Sequence, residues 1–137
     1  MNATVFSYPV LIKEVYLDTF GHMNNATYLT LLEEARWDLL TKNGYGLTKI
    51  KESGLGPIIL EIKLTYLKEI KLRENIVIET QLISYENKTG VLRQRMLRDQ
   101  TVCCEAEFIF GLFNLKERKL VLPTTEWLRG IGIKNAD

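Results

Sequence analysis

Two cysteines, one histidine and no long apolar run set the first limits on this chain of 137 residues. Cys103 and Cys104 are sequence neighbours, and neighbours on a strand point to opposite faces, so no disulfide is expected between them. With no further cysteine and no histidine cluster beside them they also fail as a zinc site, which leaves strand packing and a reducing, cytoplasmic setting as the expectation. No apolar run approaches the roughly 20 residues needed to cross a bilayer. The opening "MNATVFSYPVLIKEVYL" lacks the basic, apolar and small-residue succession of a secretory signal, so none is expected. Charge of one sign is missing too: 18 Lys and Arg balance 17 Asp and Glu, which excludes the broad basic surface of a nucleic-acid binder. No serine nucleophile elbow, P-loop or dinucleotide fingerprint occurs, and neither a metal nor a redox cofactor is expected.

What is present is a chain 46% hydrophobic and 26% charged, without repeats or low-complexity linkers, which fits one domain over residues 1–137. "YPVLIKEVYL" (8–17) reads as a strand ending near Asp18. From Tyr28 the period changes: Leu31, Leu32, Ala35, Leu39 and Leu40 recur at helical spacing, with Leu29 and Trp37 on the flanks, so a helix buried along most of its length is predicted. Asn24 or Asn25 suits its N-cap and Gly44 its stop. After the loop "SGLGP", strands are predicted over 58–68, 75–86, 90–99 and 101–115, with one short helical turn in "PTTEWLRGIG". The plan is α+β: an antiparallel sheet packed on a single apolar helix. One helix leaves part of such a sheet bare, so self-association is expected.

The polar residues crowd into "LDTFGHMNNATYLTLLEEAR" (17–36), directly ahead of that helix. A helix N-terminus offers unpaired N–H groups and the positive end of the helix dipole, suited to the oxygen that gains charge in acyl transfer. A carboxylate one loop away could attack the carbonyl or activate a water. Each residue also has a plainer reading: Asp18 as a turn former, Gly21 as a backbone-angle residue, His22 as a hydrogen-bonded structural residue, Asn24 or Asn25 as a cap.

The stretch resembles the signature of the 4-hydroxybenzoyl-CoA thioesterase family. There an Asp, two spacers, Gly-His, a variable residue and Asn-Asn precede Tyr and a Glu-x-Ala-Arg-like helix. Asp18, Gly21, His22, Asn24, Asn25, Tyr28, Glu33 or Glu34, Ala35 and Arg36 match in turn, and the likeness continues through "IKLTYLKEIKLREN" and "FIFGLFNL" to "LPTTEWL". The resemblance implies a hot-dog fold, a long antiparallel sheet wrapped around one central helix, assembled as homodimers or homotetramers with the active site at the subunit interface. It implies Asp18 as the catalytic nucleophile or general base and Asn25 as the residue whose backbone N–H polarises the thioester carbonyl, with Gly21, His22, Asn24 and Tyr28 around the substrate. Two departures stand out. Tyr16 replaces a second acidic residue, and Glu69 and Arg73 replace the Pro and Gly of the turn after the second strand; altered loop shape or substrate preference is expected from them.

The expected activity is hydrolysis of an acyl-CoA, or of an acyl-carrier-protein thioester, to a carboxylic acid and a free thiol. Coenzyme A phosphates need cations, and Lys88 with Arg93 and Arg95, which share one strand face, are the candidates, against the plainer reading of a solvated strand face. Glu33, Glu34 and Arg36 read as helix-surface charges near a dimer seam. The alternatives are a hot-dog module that binds an acyl thioester without cleaving it and, behind that, a hydratase or dehydratase.

Overall fold

Tight turns fix the middle of the sheet. The structure, a computed structural model describing residues 2–19 and 21–134, runs β1 (Phe6–Leu11), α1 (Asn25–Lys42), α2 (Leu47–Ser53), β2 (Leu55–Tyr66), β3 (Asn75–Glu86), β4 (Thr89–Arg98), β5 (Thr101–Asn114), β6 (Lys119–Val121) and α3 (Thr125–Gly130). Two-residue loops join β3 to β4 and β4 to β5, making an antiparallel meander. In the second loop both Asp99 (φ 48°) and Gln100 (φ 70°) are left-handed, the type I′ geometry that matches strand twist. Glycine holds that angle without the Cβ clash that costs an L-residue about 1–2 kcal/mol. Gln100→Gly should therefore raise stability by about 1 kcal/mol, read as a melting temperature about 4 °C higher; an unchanged or lower value would contradict this.

The strand order is β1-β3-β4-β5-β2, with β6 pairing β5 and every pairing antiparallel. Alternation on β3 to β5 turns Ile78, Met96 and Phe108 inward, where they share one core with Tyr28, Leu31, Leu32, Ala35 and Leu39 of α1. Each fully buried leucine contributes on the order of 2 kcal/mol, which is why the helix stays against the sheet. A long sheet around one buried helix is the expected architecture.

Differences from the sequence reading are local. The strand predicted over 8–17 occupies Phe6–Leu11, after which Glu14–Tyr16 form a 3₁₀ turn. The loop ahead of β2 contains α2, which is flanked by Gly46 at its N-cap and left-handed Gly54 (φ 71°) at its C-cap and buries Ile50. Its single buried anchor left no helical periodicity to read. The cysteines are the clearest correction. A bulge between Met96 and Leu97 leaves Cys103 as the extra residue of β5, so the expected alternation fails. Both thiols are fully buried, free, and close enough to Tyr28 of α1 to bear on its hydroxyl. Burial pushes the Cys104 thiol up to about 12, so it is inert as a nucleophile at neutral pH.

Candidate active site

The loop before α1 is laced onto Asp18. Leu17 and Met23 form an antiparallel bridge, and inside it the Asp18 N–H donates to the His22 carbonyl at 2.8 Å. Gly21, at φ 79°, returns its own N–H to the Asp18 carbonyl at 3.1 Å, an angle that strains any L-residue. The His22 N–H donates to Asp18 Oδ1 at 3.1 Å. His22 thus meets Asp18 through its backbone, while its residue surface faces solvent, as does that of Asp18. The turn-forming and chemical readings of Asp18 coexist: one carboxylate oxygen closes the loop and the group remains exposed.

Asn24, not Asn25, is the cap. Its Oδ1 accepts the Ala26 N–H at 2.8 Å and its carbonyl accepts the Thr27 N–H at 2.9 Å. Asn25 is the first helical residue, and among the described residues no acceptor takes its N–H. That N–H sits at the positive end of an 18-residue helix, the arrangement that favours a partial negative charge. Asn24→Ala should cost about 1 kcal/mol through the lost cap, lowering the melting temperature by about 4 °C; no shift would show that Asn24 does not hold the turn.

One contributor was not singled out from the sequence. Tyr66, the last residue of β2, donates its hydroxyl to the Asn25 carbonyl at 3.0 Å and stands edge-on to Tyr28, with ring centroids 4.9 Å apart. An aromatic residue closing the second-strand stretch was the available signal. Burial raises both phenols above their ordinary range, the nearby Ile70 backbone only partly opposing this at Tyr28, so they act as neutral groups. Asp18, Gly21, His22, Asn24, Asn25 and Tyr28 are therefore gathered at one end of α1, against the ends of β2 and of the loop carrying Ile70.

The proposed phosphate cations are not brought there within the chain. Arg93 and Arg95 alternate with buried Leu92, Gln94 and Met96, so they occupy the face of the sheet turned away from α1. There Arg95 pairs with Glu79 at 3.0 Å and Arg93 donates to Gln81 at 3.3 Å. Lys88 lies in the β3–β4 turn beside Gly111, seven residues along β5 from the Cys104 row that holds Tyr66, or about 23 Å. Arg36 departs from its reading as a surface charge. It turns beneath α1, 4.5 Å over the Phe108 ring, and donates to Gln94 Oε1 at 2.9 Å; burial lowers its pKa. Arg73, where the resembling pattern has glycine, adopts the glycine-like φ of 64° and donates to both carboxylate oxygens of Glu14, at 2.7 and 2.9 Å. The turn keeps its left-handed angle despite the substitution.

Among the described residues, no group of three or more His, Cys, Asp and Glu stands close enough together to hold a metal ion, and no helix is long and apolar enough to cross a membrane. The site offers instead a loop-held carboxylate and a helix-end N–H, which together can polarise a carbonyl and drive an oxygen nucleophile onto it.

Comparison with known proteins points the same way. A family model described as the Thioesterase-like superfamily matches residues 12–130. The long-chain acyl-CoA thioesterase FadM of Escherichia coli (strain K12) is 30% identical over 112 residues, 80% of this chain and 84% of that protein. The acyl-CoA thioesterase YbgC of Haemophilus influenzae is 26% identical over 117 residues, 85% of this chain and 86% of its own. A Staphylococcus aureus protein solved in complex with CoA superposes with a TM-score of 0.86 over 96% of this chain and 84% of its own; at 19% identity it shows the shared fold alone.

Proposed function

The chain belongs to the Thioesterase-like superfamily, and from that premise we propose the chemistry that the site carries out. It is an acyl-CoA thioesterase, hydrolysing an acyl-CoA to a carboxylic acid and free CoA. The observation that carries the residue assignment is exposed Asp18 in the loop leading to a buried helix whose first residue, Asn25, has an N–H that no acceptor among the described residues takes. The thioester oxygen rests against the Asn25 N–H, which together with the helix dipole stabilises the charge that develops on it. Asp18 either takes a proton from the attacking water or attacks the carbonyl carbon itself, giving an anhydride that water then opens. In both routes the carbon–sulfur bond breaks and CoA leaves as a thiol. Gly21 and His22 serve through their backbones, holding the Asp18 loop.

The spacing of Asp18, Gly21, His22, Asn24 and Asn25 supports the finer placement with the 4-hydroxybenzoyl-CoA thioesterase family. A homodimer is part of the proposal, supported by the open edge of β2, where Leu60, Ile62, Tyr66 and Leu67 are all exposed. A cytoplasmic setting is proposed from the buried free thiols. The deciding experiment is thiol release from a panel of short, long and aromatic acyl-CoAs. Release from at least one class is expected, whereas tight binding of every acyl-CoA with no release would favour the non-catalytic binding module.

A further inference from the structure

Two consecutive peptide units at the start of α1 are clamped by hydrogen bonds, and one of the clamps comes from the sheet. Asn24 supplies two of the bonds: its Oδ1 takes the Ala26 N–H at 2.8 Å and its carbonyl takes the Thr27 N–H at 2.9 Å. The Tyr66 hydroxyl supplies a third, donating to the Asn25 carbonyl at 3.0 Å. The unit joining Asn25 to Ala26 is thus held at both ends, by Tyr66 at its carbonyl and by Asn24 at its N–H. The unit before it is held at its carbonyl, and its N–H, that of Asn25, is the donor left for a ligand.

Local bonds alone leave the direction of that donor loose. The first N–H groups of a helix lack intrahelical partners, and Asn24 belongs to the exposed loop that it caps, so its bonds move with that loop. Tyr66 ties the same turn to the sheet, and its own place is fixed from three sides. Its backbone pairs with buried Cys104. The next two N–H groups, those of Leu67 and Lys68, both donate to the Cys103 carbonyl, at 2.9 and 3.0 Å, so the bulge residue of β5 clamps the chain directly after Tyr66. Its ring stands edge-on to that of buried Tyr28, with centroids 4.9 Å apart.

We propose that Tyr66 is a positioning residue for the hydrolysis: by holding the Asn25 carbonyl it fixes the N–H of the same residue in the direction where the thioester oxygen gains charge. The inference rests on the thioesterase reading and adds a residue to its oxyanion site. A donor fixed in advance needs no reorganisation as the charge develops, whereas a hydrogen bond weakens steeply once it bends. The hydroxyl spends its proton on the protein and not on the substrate, so its loss is felt in the transition state more than in binding.

The test is Tyr66→Phe, which keeps the ring and removes only the hydroxyl. The Asn25 carbonyl retains its helical bond, so the variant should melt within about 4 °C of wild type. On the acyl-CoA that wild type hydrolyses fastest, kcat should fall about tenfold with KM changed less than about threefold, part of the roughly 10²–10³ that loss of a whole oxyanion donor costs. A second readout is the carbonyl stretch of that acyl-CoA, labelled with heavy carbon at the thioester position and bound to Asp18→Asn with and without Tyr66→Phe. Donation from the Asn25 N–H lowers the frequency, and Tyr66→Phe should return it toward that of the free ligand. The positioning role is overturned, with the thioesterase reading intact, by an unchanged kcat, by a loss confined to KM, by equal carbonyl frequencies, or by a Tyr66→Phe protein that no longer melts cooperatively. If wild type releases thiol from no acyl-CoA, the thioesterase reading falls and this role falls with it.

Discussion

Asp18→Asn is expected to lower kcat for acyl-CoA hydrolysis by a factor of about 10³ or more, while the protein keeps its fold. The substitution is nearly isosteric, and an asparagine Oδ1 can still accept the His22 N–H that closes the loop. What it removes is the negative charge, and with it both the capacity to take a proton from water and the capacity to attack a carbonyl. The helix end is untouched, so KM should change by less than about threefold, since substrate binding does not depend on the lost charge. Thiol release measured beside a melting curve checks both halves. A variant with full turnover would remove Asp18 from the mechanism, and one that is inactive because it is unfolded would be exposed by the melt.

Gln94→Ala should produce the largest loss of stability. Gln94 is fully buried beneath α1, yet it is saturated: Nε2 donates to the Leu32 carbonyl and to Thr80 Oγ1, both at 3.0 Å, and Oε1 accepts from Arg36 at 2.9 Å. Among the described residues no carboxylate pairs with Arg36, so Gln94 is the acceptor that makes its desolvated charge tolerable. Truncation leaves the half-buried Arg36 guanidinium without its acceptor, takes a bond from the buried Leu32 carbonyl and Thr80 hydroxyl, and opens a hole in the core. Together these should cost about 3–5 kcal/mol and lower the melting temperature by more than about 10 °C. Because the penalty comes from stranding a charge, Arg36→Met with Gln94→Met should be more stable than Gln94→Ala alone. Denaturant melts of the three proteins separate this account from simple loss of volume: if the double variant is the weaker, the network is a net source of stability.

How far the sequence carried depends on what each signal could encode. The helical stripe from Tyr28 to Leu40 and the strand predicted over 75–86 both appear where they were read, the strand alternating as far as Leu82, where a bulge at Ile83 interrupts it. The polar cluster was legible because its parts are local: Asp18, Gly21 and His22 bond to one another, and Asn24 to Ala26 and Thr27, all within a few residues. Three features were not legible, each for its own reason. Bulges at Leu60 and Cys103 shift the alternation by one residue, and their position depends on the partner strand. Tyr66 reaches Asn25 across 41 positions, a contact that only the tertiary fold creates. Arg93 and Arg95 were correctly placed on one face of their strand, but which face looked toward α1 was decided by Gln94, a polar residue at an inward position that a hydrophobicity pattern would send outward.

The topology also orders events in time. β3, β4 and β5 are joined by two-residue loops, so their pairing closes little chain entropy and can form early. The pieces of the catalytic end arrive from much farther away: the Asp18 loop follows β1 at one edge of the sheet, while Tyr66 ends β2 at the other. Their meeting requires the helix between them to be seated first. Pairing of the meander alone therefore brings together neither half of the site, and activity waits on the contact between the two edges that α1 makes.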